Sequence, residues 1–149
     1  MSDKKLVENM MHVRKRINTP RSLLDFSEGV IGDDKNSVNR NVEITQLVSD
    51  SRRVTNGSAF FALPGLRTDG NRYVEEALDR GARAIITEDD SIEVPSSVVK
   101  VCVKDARKTL ARLSKRYFGC PDESLEIVGV TGTNGKTTVS TLVRHLLEE

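Results

Sequence analysis

The stretch Leu125–Thr138, LEIVGVTGTNGKTT, constrains this chain more than any other. It opens with an apolar run, Leu125, Ile127, Val128 and Val130, whose length predicts a buried strand. Gly129, Gly132 and Gly135 make the next segment a turn. Lys136, Thr137 and Thr138 then lead into a helical pattern carrying Val139, Leu142, Val143, Leu146 and Leu147 on a wide apolar stripe. Strand, glycine turn, Lys-Thr and helix in that order form a cradle for phosphate. Glycines let backbone N–H groups curl around an anion without Cβ clashes, and the helix N-terminus adds partial positive charge. Lys136 is expected to reach the β- and γ-phosphates of a bound nucleotide, and the Thr137 hydroxyl to sit on Mg²⁺. The spacing departs from the usual phosphate loop in one respect. The first glycine is due at position 130, which holds Val130, and it stands one residue earlier at Gly129. The plainer alternative is a strand-to-helix turn that is merely rich in small residues.

Composition limits what surrounds that segment. A chain of 149 residues is long enough for one domain with a real core. Lys+Arg 23 against Asp+Glu 22 leaves +1, which gives no global field to draw in nucleic acid or an anionic membrane. Aromatics make up only 4%, so the basic face of the helix ending near Tyr117 (Arg107, Lys108, Arg112, Lys115, Arg116) lacks stacking residues and reads as a solvated face. No apolar run approaches the roughly 20 residues of a membrane span. The N-terminus has basic residues but no continuous apolar core of a secretory signal. Cys102 and Cys120 have neither metal-ligand spacing nor a neighbouring histidine, which fits two reduced thiols in the cytoplasm.

Taken in order, Leu6, Met10, Val13 and Ile17 predict a surface helix over 4–17, and Ser22–Phe26 one further helical turn. Residues 27–41 read as a loop or loose hairpin. Strands are expected over Val42–Val48, Ser58–Leu63, Ala82–Thr87 and Val98–Val103. A helix capped by Asn71, with Tyr73, Val74, Ala77 and Leu78 inward, is ended by Gly81. Asp105 caps another, with Ala106, Leu110, Leu113 and Tyr117 inward. Strands alternating with helices argue an α/β domain with a mixed or parallel sheet. Gly119-Cys120-Pro121-Asp122 breaks the chain, so 1–122 is expected to be one domain and 123–149 the beginning of a second.

Two segments before that break follow strands: Ser49-Asp50-Ser51-Arg52, and Gly65-Leu66-Arg67-Thr68-Asp69-Gly70. Loops at strand ends of α/β sheets are where ligands bind, and these supply hydroxyls, backbone N–H groups and arginines suited to a uracil, ribose or diphosphate. The same residues equally suit an Asx or Ser turn and a tight Asp-Gly turn.

Gly132-Thr133-Asn134-Gly135-Lys136-Thr137-Thr138 resembles the ATP loop of the Mur ligases and their folate and cyanophycin relatives. The pattern Asp50-Ser51-Arg52, Val54, Gly57, Phe60, Ala62, Gly65 and Asp69-Gly70, followed by Gly81-Ala82 and Ile85, is similar to the N-terminal domain of the E- and F-type members. Thr131-Gly132-Thr133-Asn134 resembles the E type. The resemblance implies the N-terminal part of a UDP-N-acetylmuramoyl-L-alanyl-D-glutamate ligase: a small UDP-substrate-binding domain, then the first strand, loop and helix of an ATPase domain. It implies ATP bound by Gly132 to Thr138, Lys136 as the catalytic residue and Thr137 as a ligand of Mg²⁺. It further implies Ser49, Ser51, Leu66, Arg67 and Thr68 on the uridine nucleotide, although the family commonly has His-Gln-Ala or similar where Leu66-Arg67-Thr68 stands. Its substrates would be UDP-MurNAc-dipeptide and an amino acid, diaminopimelate or lysine, joined through an acyl phosphate by a cytoplasmic monomer that touches neither nucleic acid nor membrane. Most catalytic parts would lie outside this chain, leaving the fragment itself inactive. The alternatives are the dipeptide-adding F type and a non-catalytic nucleotide-binding module.

Overall fold

The structure is a computed structural model that describes residues 20–28, 30–31, 41–65, 68–123 and 128–148. The helix expected over 4–17 and most of the 27–41 loop lie outside these residues. The elements run β1 (Arg21–Ser22), α1 (Leu23–Ser27), β2 (Glu43–Ile44), β3 (Gln46–Val48), β4 (Ser58–Phe61), α2 (Val74–Asp79), β5 (Ala84–Thr87), β6 (Val99–Cys102), α3 (Ala106–Tyr117) and α4 (Lys136–Glu148). Short 3₁₀ turns occupy Ser51–Arg53, Gly70–Tyr73 and Pro121–Glu123.

β3, β4, β5 and β6 form one parallel sheet in that order, and β1 pairs β2 antiparallel in a separate two-stranded sheet. A parallel sheet covered on both faces needs strands that are apolar throughout. β4 and β5 come near this, being buried at every position and polar only at Ser58 and Thr87, whose hydroxyls are hydrogen-bonded. Side chains alternate between two cores because successive Cβ atoms point to opposite faces. Ala59, Phe61, Ala84 and Ile86 join Leu23 and Phe26 of α1 and Leu113 and Tyr117 of α3. Phe60, Ala62 and Ile85 join Val74 and Ala77 of α2 on the other side. Burying side chains such as Phe60, Phe61 or Ile85 stabilises by ~1.5–3 kcal/mol each.

The expected strand Val42–Val48 is in fact two. It breaks at Thr45, where the chain leaves the antiparallel pair and enters the parallel sheet. The break is fixed from three sides. Thr45 N–H donates to Gly57 O at 2.9 Å, its hydroxyl donates to Asn56 O at 3.2 Å, and its carbonyl accepts from Tyr117 OH at 2.7 Å. Gly57 has φ +87°, and a Cβ there would sit 2.8 Å from Thr45 Cγ2, so only glycine fits.

Asn71 is not the cap of its helix. Asp69 fills that role, accepting from Asn71 N–H at 3.0 Å ahead of the 3₁₀ turn, with α2 following from Val74. Tyr73, expected inward, is 39% exposed because it lies on that 3₁₀ turn, off the apolar stripe of α2. Asp105 does cap α3, accepting from Lys108 N–H at 2.7 Å. The basic face of α3 is tied locally: Lys115 pairs with Asp122 at 2.7 Å, Arg107 reaches Pro64 O at 3.2 Å, and Arg116 donates to Glu28 O.

The strand expected over 125–130 falls partly outside the described residues. Its described part, 128–130, is in no sheet. A strand is stable only with a neighbour to complete its hydrogen bonds, and no described strand lies beside it. Val128 is 79% exposed.

Candidate functional site: a phosphate-type loop and a serine corner

Gly132 and Gly135 have positive φ, +147° and +77°, a conformation that L side chains avoid. They turn the chain directly into α4, whose first intrahelical bond runs from Val139 N–H to Gly135 O at 2.9 Å. Lys136 is therefore the first residue of a thirteen-residue helix. Its ammonium folds back over the turn, donating to Gly132 O at 2.6 Å and lying 3.4 Å from Thr133 O. The loop thus gathers a lysine, the opening N–H groups of a helix and two threonine hydroxyls, Thr137 and Thr138, on an exposed surface. That set suits a polyphosphate. Thr133 and Asn134 lie in the turn itself. Thr137 alone does not make a metal site, and no group of three or more His, Cys, Asp or Glu among the described residues could hold one. Thr137 fits a magnesium ion only as one ligand beside phosphate oxygens.

The second expected site lies on the C-terminal edge of the parallel sheet. The 49–53 loop leaves β3 and the 62–70 loop leaves β4, and those strands are neighbours. The edge therefore does bring the two loops side by side. Ser49 and Thr68 are exposed there, whereas Leu66 and Arg67 lie outside the described residues. Asp50 caps the 3₁₀ turn at Arg52 N–H, 3.1 Å, and its carboxylate takes both Nε and Nη2 of Arg52 at 2.9 and 2.8 Å. These bonds from Arg52 hold the Asp50 carboxyl at about 2, below its ordinary 3.8, and raise Arg52 in turn.

Ser51 is different. Only 6% exposed, it donates its hydroxyl proton to Glu76 Oε2 at 2.6 Å. Glu76 Oε1 accepts from Arg80 Nε at 3.1 Å and is ion-paired with Nη2 at 3.1 Å, and Arg80 Nη1 donates to Arg52 O at 3.5 Å. The sequence reading missed Glu76 and Arg80. Their i, i+4 spacing on a helix was a visible signal of an ion pair, but nothing local linked Glu76 to a serine twenty-five positions earlier.

The glycines of the second loop have a structural role as well. Gly70 N–H donates to Leu63 O at 3.0 Å, and a Cβ on Gly70 would meet Leu63 N at 2.5 Å. The loop ends are therefore pinched together. A separate cleft of about 300 Å³, lined by Asn41, Val42, Arg83, Ser96, Ser97, Val98 and Val99, opens at the starts of β5 and β6. That is the opposite edge of the sheet, and the cleft belongs to neither site.

The family described as "Mur ligase family, catalytic domain" matches residues 43–118. A UDP-N-acetylmuramoyl-L-alanyl-D-glutamate--2,6-diaminopimelate ligase of Parabacteroides distasonis is 43% identical over 109 residues, covering 73% of this chain and 22% of the relative. The ligase of the same name from Caldanaerobacter subterraneus subsp. tengcongensis is 39% identical over 127 residues, 85% of this chain and 26% of the relative. Among solved structures, a UDP-N-acetylmuramoylalanyl-D-glutamyl-2,6-diaminopimelate--D-alanyl-D-alanyl ligase from Acinetobacter baumannii superposes with TM-score 0.63 at 27% identity, over 81% of this chain and 26% of that one. A MurF ligase from Thermotoga maritima, solved in complex with ADP, gives TM-score 0.51 at 35% identity over 62% of this chain and 21% of that one. The chain thus spans about a quarter or less of the length of the proteins it matches.

Proposed function

Since this chain belongs to the Mur ligase family, we propose that it is the N-terminal part of an E-type ligase that adds diaminopimelate to UDP-MurNAc-L-Ala-D-Glu in the cytoplasm. The observation that carries the reading is the turn at Gly132–Gly135, which delivers Lys136 to the first position of α4. The two diaminopimelate-ligase relatives, at 43% and 39% identity, favour diaminopimelate over lysine and the E type over the dipeptide-adding F type. Residues 1–122 act as the UDP-substrate domain and 123–149 begin the ATP-binding domain.

In this reading ATP is a substrate held by Gly132 to Thr138. Its γ-phosphoryl group passes to the γ-carboxylate of the dipeptide's glutamate, giving an acyl phosphate and ADP. The amine of diaminopimelate attacks that carbonyl and phosphate leaves. Lys136 stabilises charge on the transferring phosphoryl group, exchanging the carbonyls of Gly132 and Thr133 for phosphate oxygens. A magnesium ion, with Thr137 as one ligand, would neutralise the remaining phosphate charge. The corner of Ser49, Ser51 and Thr68, with Leu66 and Arg67 on the same loop, anchors the uridine end. Binding energy from that remote end orients the reacting carboxylate.

The test is ADP release by the protein expressed from its complete reading frame. Release should require both UDP-MurNAc-L-Ala-D-Glu and diaminopimelate, and Lys136→Ala should lower it by about a hundredfold or more while UDP-substrate binding persists. Turnover with D-alanyl-D-alanine on the tripeptide substrate instead would make the protein an F-type ligase. No nucleotide hydrolysis with any of these substrates would leave a binding module.

A further inference from the structure

Ser51 meets any ligand with its proton already spent. A hydroxyl has one O–H to give and two lone pairs to accept with. The Ser51 O–H lies 2.6 Å from Glu76 Oε2, within the range of a charge-assisted bond to a carboxylate. Glu76 cannot rotate away at no cost, because Oε1 accepts from Arg80 Nε and is ion-paired with Arg80 Nη2, both at 3.1 Å. Arg80 is in turn steadied by Arg52 O at 3.5 Å. Both cations of this network are engaged, Arg80 by Glu76 and Arg52 by Asp50. A phosphate oxygen can only accept, so it gains nothing from a hydroxyl whose proton points elsewhere. It would also face the Glu76 carboxylate just behind that hydroxyl.

We propose that Glu76 is the positioning residue of the Ser51 corner. By taking the serine's only proton, it leaves Ser51 to act as an acceptor, so that the corner reads a ring N–H or ribose hydroxyl of uridine and not its phosphates. The inference rests on the reading of this corner as the uridine-nucleotide site. Glu76 itself touches no ligand.

The experiment titrates uridine, UDP and inorganic pyrophosphate into the chain and its variants. Ser51→Ala should weaken uridine and UDP by the same factor, about tenfold, the size of one hydrogen bond, and leave pyrophosphate unchanged. Glu76→Ala should weaken uridine similarly but UDP less, because the freed hydroxyl can now donate to a phosphate and the like charge is gone. The UDP-to-uridine affinity ratio should therefore rise about threefold or more, a change that a merely structural tie between the turn and α2 would not produce. If Ser51→Ala weakens UDP and leaves uridine untouched, the serine addresses phosphate and the inference falls while the site stands. If Ser51→Ala binds both like wild type, the site itself falls. Should Glu76→Ala fail to fold by circular dichroism, Arg80→Gln is the folded counterpart. There uridine should weaken about threefold, and unchanged affinity would overturn the positioning role.

Discussion

The parallel-sheet region and the loop–helix unit at 128–148 bear opposite relations to their own sequence. In the first, local pattern and tertiary burial agree. β4 and β5 are buried throughout and apolar at every position but Ser58 and Thr87, between α1 and α3 on one face and α2 on the other. In the second, local pattern stands alone. α4 carries an apolar stripe, yet Leu142, Leu146 and Leu147 are 57, 73 and 80% exposed. An isolated helix of this length is marginal in water, since nucleation is costly and most helical stability comes from packing. One region therefore holds its shape through its core. The other holds the loop's shape through glycine conformation and a lysine folded on its own turn, both of which are local.

The sharpest way to break that contrast is Phe61→Ala, which empties a fully buried site in the middle of the sheet. It should cost ~3–5 kcal/mol in chemical denaturation. The helical amide signals of 136–148, followed by NMR, should not move; if they melt together with the sheet, the two regions are not independent. Gly57→Ala comes next. It forces a Cβ into Thr45 Cγ2 at a positive φ, at a cost of ~1–3 kcal/mol, and a companion Thr45→Ser should recover part of that loss. Removing the α3 cap with Asp105→Ala should cost ~1 kcal/mol, read as a lower denaturation midpoint. Leu147→Ala, on the exposed stripe, should shift stability by less than ~0.5 kcal/mol; a larger loss would mean that α4 is packed after all.

The smallest effect sharpens the contrast at the serine corner. Asp50 is held at about 2 against an ordinary 3.8. Because its folded value is depressed, its contribution is fully present above about pH 4 and is lost as pH falls toward 2. Asp50→Asn should remove only that acid-limb dependence from the pH–stability profile.

Much of the sheet domain was legible because its signals are short-range. Ser58–Phe61 and Ala84–Thr87 are compact apolar runs, and Asp105 stands one residue before a periodic segment that carries its own inward face. The failures came where a distant partner decides. Thr45 sits in a pattern that alternates like a strand, and only Gly57 and Tyr117, brought in from afar, turn it into a break. Asp69 and Asn71 are both good caps in isolation, and the position of the 3₁₀ turn chooses between them. The apolar run before the phosphate-type loop had the composition of a buried strand, but composition cannot supply the neighbour a strand pairs with. Sequence placed Ser51 just after a strand, where the structure has it, but said nothing about Glu76, whose contact spans the turn and the next helix.

The pinched neck of the 62–70 loop sets where its sequence is free to change. With Gly70 pressed against Leu63, and Gly65 leaving no room for a side chain beside Thr68 O, the stem is held by close backbone contacts. Substitutions between Gly65 and Asp69 should then leave β4 and the start of α2 undisturbed, whereas a side chain at Gly70 would push the two apart.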